Sequence, residues 1–198
     1  MSKVVDYYYS HASPWSYLGH ARFLEIAARH GAAVNFKPAS FGTIFAQSGG
    51  LPVTKRAPQR QAYRLMELRR WRDFLGIDLN PEPKFFPVAD VPVQQFGIAA
   101  GKMGLDMSKL SGALMRAVWA EDRNVADDDT LAAIGNEQGM DGAAILARSK
   151  EADIAARYEA NTKEAMARNV FGAPTYLIYD ELFWGQDRLD FVDRALAG

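Results

Sequence analysis

The chain contains no cysteine in its 198 residues. That absence excludes structural disulfides, thiolate metal sites and any dithiol redox chemistry carried by the protein itself. Histidine is scarce as well: His11, His20 and His30 are scattered and offer no metal-ligand spacing with carboxylates, so no metal is expected. An excess of charge of one sign is also missing. With 23 Lys and Arg against 24 Asp and Glu the net charge is −1, and no basic stripe interleaved with aromatics is present, so nucleic acid is not an expected partner. No run approaches the roughly 18 apolar residues of a membrane span, and the stretch from Met1 to Ser10 lacks the apolar core of a signal peptide. No membrane partner is expected, and the expected location is cytoplasmic. A hydrophobic content of 48% is that of a globular chain long enough to bury a substantial core.

Val4 to Tyr9 is rich in β-branched and aromatic residues and reads as a buried strand. Ser13 then stands where an N-cap belongs, with Pro14 at the first helical position, where its missing N–H costs nothing. This helix runs to about His30 and Gly31 ends it; Ala32 to Pro38 follows as a second strand, making a β-α-β unit. From Ala39 to about Asn169 the pattern is helical. Gln47 to Pro52 reads as a loop and Pro58 to Leu75 as a charged amphipathic helix. Helices follow over Val91 to Lys102, Ser108 to Asp122, Asp128 to Gln138, Gly142 to Ala147 and Lys150 to Arg168. Strand character returns at Thr175 to Tyr179 and Glu181 to Trp184 across a tight turn near Asp180, and Arg188 to Leu196 closes the chain as a helix. The expected fold class is α/β: a thioredoxin-like core of order β-α-β then β-β-α, formed by residues 1–39 and 170–198 and split by an all-helical insertion, residues 40–169.

Strand, then Ser13-Pro14-Trp15-Ser16 opening a helix, is where a thioredoxin-like oxidoreductase carries Cys-x-x-Cys. With serine at both ends, any sulfur must come from outside, and glutathione is the natural supplier. Taken alone, Ser13 is an ordinary helix cap worth about 1 kcal/mol. The functional reading is a hydroxyl at the positive end of a helix, among unpaired amides, that stabilises an anion such as a thiolate. A free thiol, with a pKa of about 8.5, needs such surroundings to ionise at neutral pH. Phe171-Gly172-Ala173-Pro174-Thr175, at the entry to a strand, is the second element. Proline there is commonly an edge residue, but a cis Ala173–Pro174 bond would leave the Ala173 N–H and C=O free to pair with a peptide-like ligand.

These two motifs, together with Phe183 to Leu189 and the segment Ala117 to Asp122, resemble those of the 2-hydroxychromene-2-carboxylate isomerase family, relatives of kappa-class glutathione transferases and DsbA-like oxidoreductases. The resemblance spans the chain. It implies glutathione as cofactor, an aromatic or electrophilic small-molecule substrate, and a homodimer. Ser13 matches the catalytic serine whose hydroxyl donates to the glutathione sulfur. Ala173 and Pro174 match the pair that holds the cysteinyl backbone, and Gln186 and Asp187 match the pair that receives the γ-glutamyl end. Arg60 falls where the family often has lysine, placed for the glycine carboxylate, with Lys55 and Arg56 as rivals. The chain departs from the family at Ser48 to Pro52, where a side-chain contact becomes a backbone contact from Gly50 or Leu51. It departs again at Ala89-Asp90, after Phe85-Phe86-Pro87-Val88, which implies a different acceptor pocket.

The activity implied is interconversion of 2-hydroxychromene-2-carboxylate and trans-o-hydroxybenzylidenepyruvate in aromatic catabolism, by reversible thiolate addition to an electron-poor double bond. A kappa-like transferase that releases the conjugate shares every motif, and the serine-for-cysteine pattern also permits a non-catalytic glutathione- or peptide-binding module. A disulfide oxidoreductase is excluded by the missing cysteines. His11 is expected to be a solvated or packing residue, Tyr7, Tyr8 and Tyr9 to pack in the strand, Arg69 to Arg72 to form an exposed helix face, and Ser16 to pack or cap the first helical turn.

Overall fold

A computed structural model describes residues 3–198, so residues 1–2 of the expected first domain lie outside the described part. β1 (Val4–Tyr9) leads through α1 (Pro14–Arg29) to β2 (Ala33–Pro38), which pairs with it in parallel register from Val4 opposite Ala33 to Tyr9 opposite Pro38. β3 (Thr175–Ile178) adds antiparallel to the other edge of β1, and β4 (Glu181–Trp184) adds antiparallel to β3, giving the order β2-β1-β3-β4. The hairpin turns on Tyr179 and Asp180, with Tyr179 at φ +55°. Tyr179 therefore belongs to the turn, one residue short of the expected strand end.

The period-two alternation of strands decides what lies on each face. Val5, Tyr7, Tyr9, Tyr176, Ile178 and Phe183 enter the larger apolar core, together with Leu18 and Phe23 of α1 and Val192 and Leu196 of α9 (Leu189–Ala197). Tyr8, Leu177 and Leu182 face the other way, towards Phe41, Ile44 and Ala165. Tyr7 stacks on Tyr9 at 4.4 Å and on Tyr176 at 5.4 Å between ring centres. The three tyrosines of β1 are fully buried, as expected of strand packing.

Between β2 and β3 the chain is helical: α2 (Phe41–Ser48), α3 (Pro58–Leu75), α4 (Val91–Lys102), α5 (Met107–Trp119), α6 (Asp128–Glu137), α7 (Gly142–Ser149) and α8 (Ala152–Ala167). Side-chain caps explain several starts: Ser40, Asp106, Asp127 and Asp141 each accept a first-turn N–H. α5 stops three residues earlier than expected, with Asp122 in the left-handed region at φ +50°. Its inner face, with Leu110, Leu114, Met115 and Trp119 buried, joins the core under β1. Truncating any of these leucines to alanine would cost about 2–5 kcal/mol. α3 departs from the amphipathic expectation, since only Arg64 and Leu68 are buried along it while Tyr63, Met66 and Phe74 are exposed. A helix with so little apolar anchoring is a wall beside the core and not a layer of it. Among the described residues no helix is long and apolar enough to cross a membrane.

Candidate functional site

Ser13 caps α1 in extended backbone geometry, φ −90° and ψ 122°, and its Oγ accepts the Ser16 N–H at 3.2 Å. The Tyr17 N–H donates to the Ser13 C=O at 3.1 Å, and Pro14 has no N–H to satisfy. Of the first-turn amides, that of Trp15 alone has no partner among the described residues. The Ser13 O–H proton is likewise not used by the cap, because the oxygen is the acceptor there. A hydroxyl whose oxygen already accepts a hydrogen bond is a better donor. Two donors therefore stand side by side at the positive end of a four-turn helix, a setting that favours an anion. Ser16 is fully buried, with its N–H in the cap and no partner for its hydroxyl among the described residues.

The loop carrying Ser13 is held from beneath by a buried chain of hydrogen bonds. The Tyr9 O–H donates to Ser111 Oγ at 2.8 Å, and Ser111 donates to His11 Nε2 at 3.2 Å. His11 Nδ1–H donates to Gln94 Oε1 at 2.7 Å, and Gln94 Nε2–H donates to Ser10 Oγ at 2.7 Å. Ser10 Oγ also accepts the Ala12 N–H, and its own hydroxyl points to Asp90 Oδ2 at 3.5 Å. This direction of donation requires a neutral His11. Burial pulls its pKa down to about 3, against the raising effect of the Gln94 bond. His11 is thus a packed link that fixes the loop, not a solvated residue. Burial also pushes the Asp90 carboxyl up.

The second segment arrives from the far end of the chain. The Ala173–Pro174 bond is cis. The Ala173 N–H and C=O have no hydrogen-bond partner among the described residues, while the Pro174 C=O accepts the Gly185 N–H at 2.9 Å. Gly172 lies so close to the Trp184 indole that a Cβ there would overlap it. Gly185, at φ +106°, starts a single turn, Gln186–Arg188, before α9. A Cβ on Gly185 would meet the Asp187 carboxylate folded back over it. Asp187 also pairs with Arg188 at 3.1 Å. The Gln186 side chain is turned inward, and its Oε1 accepts from Arg22 at 2.8 Å, so only its backbone is available to a ligand.

These segments and α3 enclose a cavity of about 550 Å³. Trp15 lines it from α1; Ala173, Trp184, Gly185, Gln186, Asp187 and Arg188 line it from the C-terminal segment; Arg56, Gln59, Arg60, Tyr63, Arg64, Glu67 and Trp71 line it from α3 and its approach. Of the residues singled out in the sequence, Arg60, Ala173, Gln186 and Asp187 meet here. Ser13 and Pro174 do not line the cavity themselves; they sit two residues from Trp15 and next to Ala173. Gly50 and Leu51 lie outside the lining, and the Leu51 C=O accepts from Arg56 Nε at 2.8 Å. Of the rivals to Arg60, Arg56 lines the cavity and Lys55 does not.

A model of the DSBA-like thioredoxin domain matches residues 4–197. The chain belongs to the DsbA-like thioredoxin family. Among curated relatives of this DsbA-like chain, a 2-hydroxychromene-2-carboxylate isomerase of Pseudomonas putida is 28% identical, over 98% of the chain and 94% of the relative. One of Sphingobium xenophagum is 25% identical over 99% of each. The solved structure of a 2-hydroxychromene-2-carboxylate isomerase superposes with a TM-score of 0.83 at 25% identity, covering 98% of the chain and 94% of that structure.

In this DsbA-like chain the residues that sequence reading passed over are Gln94, Trp15 and Arg64. Gln94 was detectable as a lone amide on the apolar face formed with Val93, Phe96, Ile98 and Ala99, all buried with it. Arg64 continues the spacing Arg56, Arg60, Arg64, four residues apart each time. The outer arginines, by contrast, are paired: Arg69 with Glu82, Arg70 with Glu67 and Arg72 with Asp73. They form the solvated face expected of them.

Proposed function

We propose that this chain is a glutathione-dependent isomerase of the 2-hydroxychromene-2-carboxylate type, acting in the breakdown of aromatic compounds. One observation carries the reading: the Ser13 O–H and Trp15 N–H stand unspent at the positive end of α1, beside a large cavity, in a chain without a sulfur nucleophile of its own. The names of the full-length relatives support it. Glutathione, when bound, supplies a thiolate that adds reversibly to an electron-poor C=C conjugated to a carbonyl, so that the former double bond turns before the thiolate leaves.

The chain's own groups suit such a tripeptide. The unpaired Ala173 N–H and C=O are complementary to an extended backbone. The Asp187 carboxylate is suited to the γ-glutamyl ammonium and the backbone N–H groups at Gln186 and Asp187 to its carboxylate. Arg60, exposed at the cavity rim, is suited to the glycyl carboxylate. The Ser13 O–H and Trp15 N–H lower the cost of the anion, and the aromatic walls Trp15, Trp71 and Trp184 exclude water from it. Because glutathione is a cytosolic reductant, the reading places the enzyme in the cytoplasm; a homodimer is part of the same proposal, checked by sedimentation velocity.

The test is product analysis. With catalytic glutathione, the wild type converts 2-hydroxychromene-2-carboxylate to trans-o-hydroxybenzylidenepyruvate, and mass spectrometry recovers all of the glutathione. Net consumption with a conjugate would make the protein a transferase. Binding without turnover of any acceptor would make it a non-catalytic module.

A further inference from the structure

Arg64 is 92% buried, its Nη2 is buried without a hydrogen-bond partner, and it forms no ion pair among the described residues. Its guanidinium stands over the Phe86 ring at 5.2 Å and over the Trp119 ring at 5.7 Å, those two rings being 4.9 Å apart. The Trp119 indole N–H in the same cluster is also buried without a partner. An unpaired buried cation is costly, and two orphan donors on one aromatic cluster lack an acceptor. Neither Arg56 nor Arg60 forms an ion pair among the described residues, and both line the same cavity. The two carboxylates of the lining, Glu67 and Asp187, are paired with Arg70 and Arg188, and cations left over in such a site are expected where an anionic ligand completes it. The guanidinium stays charged at neutral pH, although burial, and then Arg56, lower it to about 10.

Arg60 is exposed at the rim and Arg64 is buried against aromatic rings, so the two do not suit the same anion. A flexible peptide carboxylate fits the rim. A carboxylate carried on a flat, conjugated body fits the inner position, where guanidinium and π-surfaces adjoin. We propose that Arg64 is the receptor for the carboxylate of the aromatic acceptor, and that it makes the enzyme select arylidenepyruvate-type acids over neutral enones of the same shape. This assignment rests on the isomerase reading for its choice of acid, but not for the existence of the anion subsite.

The experiment measures binding by quenching of the cavity tryptophans, with S-methylglutathione present so that no turnover occurs. The two probes are trans-o-hydroxybenzylidenepyruvate and the corresponding methyl ketone, which lacks the carboxylate. The wild type is expected to bind the acid about tenfold or more tightly than the ketone, the range of one charge-assisted bidentate contact. In Arg64→Met that preference disappears, the ketone binds within about threefold of wild type, and glutathione affinity holds within about threefold. Arg64→Lys keeps part of the preference. Removing an unpaired buried charge is also expected to raise the Tm of Arg64→Met by a few degrees. Equal wild-type binding of acid and ketone overturns the proposal, and this comparison needs no variant to fold. So does an Arg64→Met protein that keeps the preference, or one that loses glutathione affinity instead, which would assign the guanidinium to the glycyl carboxylate. The isomerase reading fails separately, if wild type with glutathione forms no trans product while acid binding still depends on Arg64.

Discussion

The cavity wall that grows from the sheet carries Trp15, Ala173 and Asp187, with Ser13 two residues from Trp15, and a buried hydrogen-bond chain from Tyr9 to Asp90 fixes the Ser13 loop. The opposite wall carries Arg60 and Arg64 on α3, a helix with only two buried residues, and Arg56 on its approach. The first wall offers backbone groups and a hydroxyl whose positions the fold dictates. The second offers long cationic side chains, Arg56 and Arg60 reaching over the cavity and Arg64 packed on the Phe86 and Trp119 rings. On the proposed reading, that contrast gives most of the hold on a thiol-bearing peptide to the sheet side, with Arg60 at its glycyl end, and the choice of acceptor to Arg64.

The sharpest way to break the contrast is Ser13→Ala. Loss of the hydroxyl donor is expected to lower glutathione-dependent kcat/KM by about 10²-fold or more, while the lost cap costs only about 1 kcal/mol of stability in a urea melt. Similar losses of activity and stability would make Ser13 a cap alone. Next in size is Gln94→Leu, which leaves the His11 Nδ1–H without its buried acceptor and Ser10 Oγ without one of its two donors. A destabilisation of about 2 kcal/mol is expected by urea denaturation, with the UV thiolate band of bound glutathione weakened because the Ser13 loop is no longer pinned.

The pH dependence tests the same buried chain. Folded, His11 takes a proton only near pH 3; its ordinary value is 6.5. Between those values the unfolded chain binds more protons, so stability falls as pH falls, by at most about 1.4 kcal/mol per unit for one group. His20, lowered by burial, acts in the same direction, whereas Asp90, raised by burial, favours the folded state as it takes up its proton and partly offsets the loss. Replacing His11 by Asn should flatten the profile between pH 6.5 and 4.5, read as urea midpoints. An unchanged slope would place acid sensitivity in the surface carboxylates instead. The smallest effect compares two arginines of α3. Arg60→Ala should weaken glutathione several-fold in a calorimetric titration, and Arg69→Ala, whose partner is Glu82, by less than about twofold.

Much of the sheet side was legible beforehand because its signals are local. The β-branched and aromatic run Val4 to Tyr9, Ser13 followed by Pro14, and the hairpin at Tyr179 and Asp180 each report the backbone beside them. α3 misled for the opposite reason. Its charge and apolar content suggested an amphipathic face, but which face is buried depends on where the neighbouring helices leave room. Gln94 and Arg64 became meaningful only once Ser10, 84 residues from Gln94 along the chain, and the Phe86–Trp119 pair were found beside them.

From sequence alone came the absence of any thiol, the strand-helix-strand opening and the serine at the helix start, because composition and capping are properties of a few adjacent residues. Tertiary structure decided that His11 is a neutral link, that the Gln186 side chain faces inward to Arg22, and that one arginine of a charged helix is buried without a partner. Charge state and availability for binding depend on burial and on partners distant in the chain, and those are fixed only when the chain closes on itself.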